Sequence, residues 1–244
     1  MKFLDIQNQD KKIKKKIIKN FKKNIKKGDF ILGKAVKDFE KKFASFCGAK
    51  HAIGCANGTD ALTIALKSLN LPKNSEVIIP AMTYCSTAFA VINSNLKPIL
   101  ADIDYLKPTI SLDKISKKIN SKTRVILPVH LYGSSANISG IKKLIKNKNI
   151  IIIDDCAQAH GANDDSSILK KKIGSSSDIS CFSLYPGKNL GAYGDAGVIT
   201  TNNSKYYKIM NKIKNLGSDK KFIHEYVGIN SRLDTIQASI LVTK

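Results

Sequence analysis

Cys181-Phe-Ser-Leu-Tyr-Pro-Gly-Lys-Asn-Leu-Gly-Ala-Tyr-Gly-Asp-Ala-Gly197 is the stretch from which the rest of this 244-residue chain can be read. The apolar run from Ile179 to Phe182 predicts a buried strand ending at the hydroxyl of Ser183. Pro186-Gly187 breaks it, and Lys188 follows in a segment with glycines at 187, 191, 194 and 197. Glycine permits close backbone approach and positive φ, which most residues resist. A solvent lysine needs neither. A lysine that must reach a confined carbonyl carbon needs a rigid loop, little competing bulk and neighbours that lower its pKa.

Schiff-base chemistry with pyridoxal 5′-phosphate (PLP) requires two more parts. The ring nitrogen must stay protonated, so a carboxylate must face it. Ile150-Ile-Ile-Ile153 followed by Asp154-Asp155-Cys-Ala-Gln158 predicts a buried strand that delivers an acid at its C-terminal end, where open α/β sheets bind ligands. Alternation along the strand sends Asp154 and Asp155 to opposite faces, so only one can serve. The phosphate requires N–H groups at a helix start, with hydroxyls nearby. Asn57-Gly58-Thr59-Asp60 opens a helical pattern directly after the apolar run Ala52-Ile53-Gly54-Cys55.

Strand-like runs at 51–55, 76–79, 98–101, 124–129, 149–153, 179–183 and 197–200 alternate with helical segments. This pattern predicts an α/β fold with a mainly parallel sheet covered on both faces. Ile13, Ile17, Phe21 and Ile25 recur every four residues, predicting an N-terminal amphipathic helix within 1–28 that Gly28 ends. It is expected to pack on the body or on a second subunit rather than on a membrane. Phe30 to Cys47 predicts a second helix with Val36, Phe39, Phe43 and Phe46 on one face. Ala162 to Ser177 is the expected exposed excursion, and a helix is expected to begin near Leu233.

The formal net charge is +22, and Arg124 and Arg232 are the only arginines. Lysine spread over solvated faces, without interleaved aromatic residues, argues against a nucleic-acid partner. The charge suits an anionic substrate. The five cysteines stand singly, with no metal-ligand spacing, which fits a reducing cytoplasm and no metal. No apolar run has the length of a membrane span.

Seven blocks in order resemble the DegT/DnrJ/EryC1/StrS family of PLP-dependent nucleotide-sugar aminotransferases. They are Phe30-Ile-Leu-Gly33 with Phe39-Glu40, Asn57-Gly-Thr-Asp-Ala-Leu62, Val129-His-Leu-Tyr-Gly133, Asp155 to Gly161, Cys181 to Gly197, Gly228-Ile-Asn-Ser-Arg-Leu-Asp234, and Ile236-Gln237-Ala238. The resemblance implies the aspartate-aminotransferase-like (type I PLP) large domain with a seven-stranded sheet, one strand antiparallel. It places that domain at 29–244 and implies a small C-terminal domain beyond the present sequence. It makes Lys188 the catalytic lysine and Asp155 the partner of the ring nitrogen, although Asp154 departs from the family's usual glutamate. Gly58, Thr59 and Ser183 would bind phosphate, Gln158 would approach O3′, and Tyr84 would stack on the ring. Asn230 resembles an asparagine that reaches the cofactor of a neighbouring subunit, implying a homodimer with shared active sites. His130, Tyr132 and Arg232 would line the sugar pocket or the dimer seam, and His160 reads as structural.

The function implied is amino transfer, with L-glutamate as donor, to a keto group on a dTDP-linked 6-deoxyhexose in surface-polysaccharide amino-sugar synthesis. Lysine at 188, where a dehydrating subgroup resembling this segment has histidine, points to transamination. The alternative is a PLP-fold regulatory protein without catalysis.

Overall fold

Seven strands form one sheet in the order β1-β7-β6-β5-β4-β2-β3 in a computed structural model that describes residues 5–168, 171–220 and 222–244. The elements run α1 (Ile6–Gln9), α2 (Lys14–Lys27), α3 (Lys34–Cys47), β1 (His51–Cys55), α4 (Gly58–Ser68), β2 (Glu76–Pro80), α5 (Cys85–Asn93), β3 (Lys97–Ala101) and α6 (Leu112–Lys118). They continue with β4 (Thr123–Ile126), a 3-10 turn at Leu131–Gly133, α7 (Ile138–Leu144), β5 (Ile151–Asp155), β6 (Ile179–Ser183), β7 (Gly197–Thr201), α8 (Ser204–Ile213) and α9 (Thr235–Thr243). β7 runs antiparallel to β1 and β6, and the remaining pairings are parallel. The seven strands, one of them antiparallel, match the aspartate-aminotransferase-like sheet that the family resemblance implies.

The strands read as continuous apolar runs because both faces are covered. Val77 and Ile79 of β2 join Leu62, Ile64 and Leu66 of α4 and Val91 of α5 in one cluster. Ile78, between them, points the other way and packs with Ile126, Ile152, Ile115 of α6, and Ile138 and Ile141 of α7. A third cluster joins Val36, Phe39 and Phe43 of α3 to Phe182 of β6 and Ala238 and Leu241 of α9. At roughly 1.5–3 kcal/mol for each fully buried large side chain, these layers hold the strand ends still.

Several boundaries shift. β5 lies two residues later than expected, so Asp154 and Asp155 belong to the strand itself. β4 ends at Ile126, because Pro128 lacks an N–H for the ladder. Contact along that line persists through Leu127 N–H to Ile78 O at 2.8 Å and a bridge between Val129 and Asp155. α3 starts only after Gly33. Phe30 to Leu32 precede it, with Ile31 bridged to Asp234. Phe46 does not join the buried face; it is 46% exposed, with Lys172 Nζ 4.1 Å above its ring.

Gly28, at φ 62°, closes α2 as a left-handed cap. Of the expected stripe on that helix, Ile17 is buried, whereas Phe21 and Ile25 are exposed. Asn20 Nδ2 donates to Thr243 Oγ1 at 2.9 Å, tying α2 to α9. The expected N-terminal segment includes residues 1–4, which lie outside the described residues. The 162–177 excursion is folded in at both ends: Asp164 and Ile173 are buried, whereas Ile168 is fully exposed. Residues 169 and 170 of that excursion lie outside the described residues. No helix among the described residues is long and apolar enough to cross a membrane.

Candidate active site

A cavity of about 550 Å³ opens where Asp155 and Ser183 end β5 and β6, beside Val129 beyond β4 and the first turn of α4. Seven of the eight expected site residues line it: Gly58, Thr59, Tyr84, Asp155, Gln158, Ser183 and Lys188. Asn57 caps α4, its Oδ1 accepting the Asp60 N–H at 2.8 Å, so the N–H groups of Gly58 and Thr59 remain without intrahelical partners. The helix dipole adds a positive potential at the same place. A Cβ on Gly58 would lie 2.7 Å from Ser183 Cβ, so glycine is what lets this turn approach the end of β6. Hydroxyl-bearing residues complete the cradle: Thr59 Oγ1 donates to Ser86 Oγ at 2.8 Å, and Ser183 lines the cavity.

Asp155 is 7% exposed and faces this cavity, as β5 alternation requires for one of its two acids. Thr87 Oγ1 donates to its Oδ2 at 2.9 Å and Ala157 N–H to its Oδ1 at 3.1 Å. Burial raises its pKa above the usual carboxylate value. The two hydrogen bonds and the charges of Lys188 and His130 pull the other way. Gln158 sits in a turn rather than a helix. Its Oε1 accepts the Tyr132 N–H at 2.7 Å, leaving its amide nitrogen as the group to donate. Tyr132 holds a left-handed backbone, φ 55°, to make that contact. Lys188 is half-buried on the loop between β6 and β7.

Residues 11–244 match the sequence profile of the DegT/DnrJ/EryC1/StrS aminotransferase family. The chain belongs to this family. It is 43% identical over 242 residues to a dTDP-3-amino-3,6-dideoxy-alpha-D-galactopyranose transaminase of Aneurinibacillus thermoaerophilus, covering 99% of this chain and 66% of that one. It is 38% identical to a UDP-2-acetamido-2-deoxy-3-oxo-D-glucuronate aminotransferase of Pseudomonas aeruginosa, covering 100% of this chain and 67% of that one. The solved structure of ntda from Bacillus subtilis with bound cofactor PMP superposes with a TM-score of 0.91 at 30% identity, over all of this chain and 55% of that one. The chain thus spans about two thirds or less of the length of these relatives.

The donor set of this family member suits a phosphorylated pyridine aldehyde. It offers free N–H groups and hydroxyls for a dianion, a buried carboxylate for a ring nitrogen, and an amine for a carbonyl carbon. Sequence reading missed Thr83, Ser86 and Thr87, although the hydroxyl cluster in Ala81 to Thr87, after a buried strand, was a usable signal. It also missed Asp195 and Tyr185 on the cavity wall.

Asn230 is brought elsewhere. It is exposed, bridged to Asn215, and absent from the cavity lining. His130 does not line this cavity either; it is 1% exposed. Its Nδ1 accepts the Ala136 N–H at 3.1 Å, so Nε2 carries the proton, 3.4 Å from Asp154 Oδ2 but not aligned for a hydrogen bond. Asp154 therefore points inward into the core, away from the cavity. Cys156 Sγ joins this group within 4.8 Å, a juxtaposition that spacing along the chain does not reveal, and burial pushes its thiol pKa well up. Arg232 is turned to Asn215, donating to its Oδ1 at 2.9 Å.

His160 packs on Phe182 with ring centroids 5.4 Å apart, and neither ring nitrogen has a hydrogen-bond partner. Burial first, then the Lys188 charge, lowers its pKa to about 4. A contact with the Ser183 main chain, too poor in geometry to count as a hydrogen bond, opposes this.

Proposed function

We propose that this chain is the PLP-binding large domain, with its N-terminal helix, of an aminotransferase that converts a keto group on a nucleotide-linked sugar into an amine. The observation that carries the reading is the meeting of Lys188, the buried Asp155 and the Gly58–Thr59 helix start in one cavity. PLP supplies an aldehyde that carries the amino group and a protonated ring that takes up carbanion charge. The first turn of α4 would bind its phosphate with the Gly58 and Thr59 N–H groups and the Ser183 hydroxyl. Asp155 would hold the proton at the ring nitrogen, and Gln158 would donate to the ring oxygen. Tyr84 would cover one face and exclude water. Lys188 Nζ would carry the carbonyl linkage at rest and then move the proton at the amino-bearing carbon.

The finer reading has L-glutamate as amino donor and a dTDP-linked 6-deoxyhexose as acceptor, feeding surface-polysaccharide synthesis. The dTDP-sugar relative supports it, and the net charge of +22 suits any nucleotide diphosphate. The exposed Asn230 would complete the site of a second copy in a cytoplasmic homodimer. The test is an absorbance spectrum with PLP, before and after L-glutamate, for wild type and Lys188→Ala. A yellow species that glutamate bleaches, absent from the folded variant, is expected. A folded wild type that stays colourless sinks the enzyme reading and leaves a regulatory one. Turnover of UDP-linked but not dTDP-linked ketosugars would refute the nucleotide.

A further inference from the structure

The loop that carries Lys188 is closed on itself from within. Leu184 N–H donates to Ala196 O at 2.8 Å, Ala192 N–H to Leu184 O at 2.8 Å, and Lys188 N–H to Tyr185 O at 2.9 Å. From outside, side chains near both ends of the described chain grip it. Gln237 Oε1 of α9 accepts the Tyr193 N–H at 2.8 Å. Lys244 Nζ donates to Gly191 O at 2.7 Å and stands 4.8 Å from the Tyr193 ring centroid. The same ammonium group pairs with Asp10 Oδ2 at 2.7 Å, the two side chains being only 9% and 12% exposed. Desolvation first, and then the neighbouring Asp10 carboxylate, push the Tyr193 phenol pKa up to about 12.

We propose that Asp10, acting through Lys244 and Tyr193, is a positioning residue that fixes the loop from which Lys188 reaches the cavity. The proposal rests on the reading of Lys188 as the reactive lysine. An exposed ion pair would carry little. This one is sheltered, and the contacts of its ammonium group with Gly191 O and the Tyr193 ring fall within five residues of Lys188. Asp10 compensates the ammonium group that holds the Gly191 carbonyl and stands over the Tyr193 ring, so its loss leaves that group short of a counter-charge. Positioning is where such a loss tells, because a displacement of about 1 Å can cost about a hundredfold in rate.

The experiment compares wild type with Asp10→Ala, Asp10→Asn and Asp10→Glu in the full chain. Without cofactor, amide exchange in residues 186–195 should quicken about tenfold in Asp10→Ala, less in Asp10→Asn, and return to near wild type in Asp10→Glu, with β5 unchanged. After PLP is added, the visible band should develop about tenfold more slowly in Asp10→Ala but reach full amplitude. Lys244→Met should act alike, and the double variant should be no worse than either single one. Unchanged loop exchange in folded Asp10→Ala, or strictly additive effects, would overturn the proposal. If wild type itself gives no band, the reading of Lys188 fails, while the exchange data still decide the clamp.

Discussion

Replacing Gly58 by alanine tests the cradle at the start of α4. The added methyl carbon would sit 2.7 Å from Ser183 Cβ and 3.0 Å from Ser183 Cα. Neither atom can swing aside, since one is backbone and the other is fixed to it. Restoring a contact of about 3.5 Å requires the first turn to withdraw by about 0.8 Å. Overpacking of this size costs about 1–3 kcal/mol, which lowers the melting midpoint by about 2–12 °C in a chain of this length. The effect on a bound phosphate is larger. Hydrogen bonds to a charged group contribute about 1.5–3 kcal/mol each. Losing two weakens cofactor binding by about 10²- to 10⁴-fold. The assay is a PLP titration followed by visible absorbance, paired with a thermal melt of the unloaded protein. A cooperatively folded Gly58→Ala protein that binds PLP within about threefold of wild type would refute the reasoning, because the phosphate would then lie elsewhere.

Two predictions concern buried titrating groups. Burial raises the folded pKa of Asp155 above its unfolded value, so ionisation opposes folding; the penalty is absent at low pH and develops as pH rises through the folded pKa. Asp155→Asn should therefore gain stability relative to wild type as pH rises from about 4 to about 7, against a lost hydrogen bond of about 1 kcal/mol, while losing glutamate-dependent bleaching. Urea midpoints at several pH values check this, and a trend of opposite sign would sink it. His160 is depressed from 6.5 to about 4. Its unfolded form gains a proton first as pH falls, so stability should decline between those values, by about 3 kcal/mol at most. His160→Gln should flatten that part of the urea-midpoint profile, and an unaltered slope would contradict the burial account.

The helix start at Asn57-Gly58-Thr59 was legible because capping, a small residue and a hydroxyl are local features read within one turn. Lys188 was legible for a similar reason, since its loop needs glycine at close approaches such as Gly191, where a Cβ would meet Pro186 O at 2.5 Å. Asp10 and Lys244 were not. Nothing near either residue announces a partner from the far end of the chain, and each reads as one more charge on a solvated face. Phe46 misled for the opposite reason. Its helical spacing matches that of Phe39 and Phe43, but Lys172 from the excursion covers its ring and leaves it at the surface.

The two acids of β5 show where period-2 reasoning stops. Both faces of that strand are buried, so the isoleucine run has no alternation from which to place its end, and the expected strand came two residues early. The alternation did establish that Asp154 and Asp155 part company. Which one meets the cavity depends on groups from other elements. His130, beyond β4, presents a protonated Nε2 to Asp154, and Ser180 of β6 adds a hydroxyl at 3.4 Å. Thr87, in α5, takes the other acid. A carboxylate turned into a core needs such partners, because an unpaired buried charge costs several kcal/mol. The cavity-facing acid is therefore the one left when its neighbour turns to His130 and Ser180, although Asp154 Oδ1 keeps no hydrogen-bond partner there. Exchanging the partners of Asp154 should thus disturb Asp155, although none of them touches the cavity.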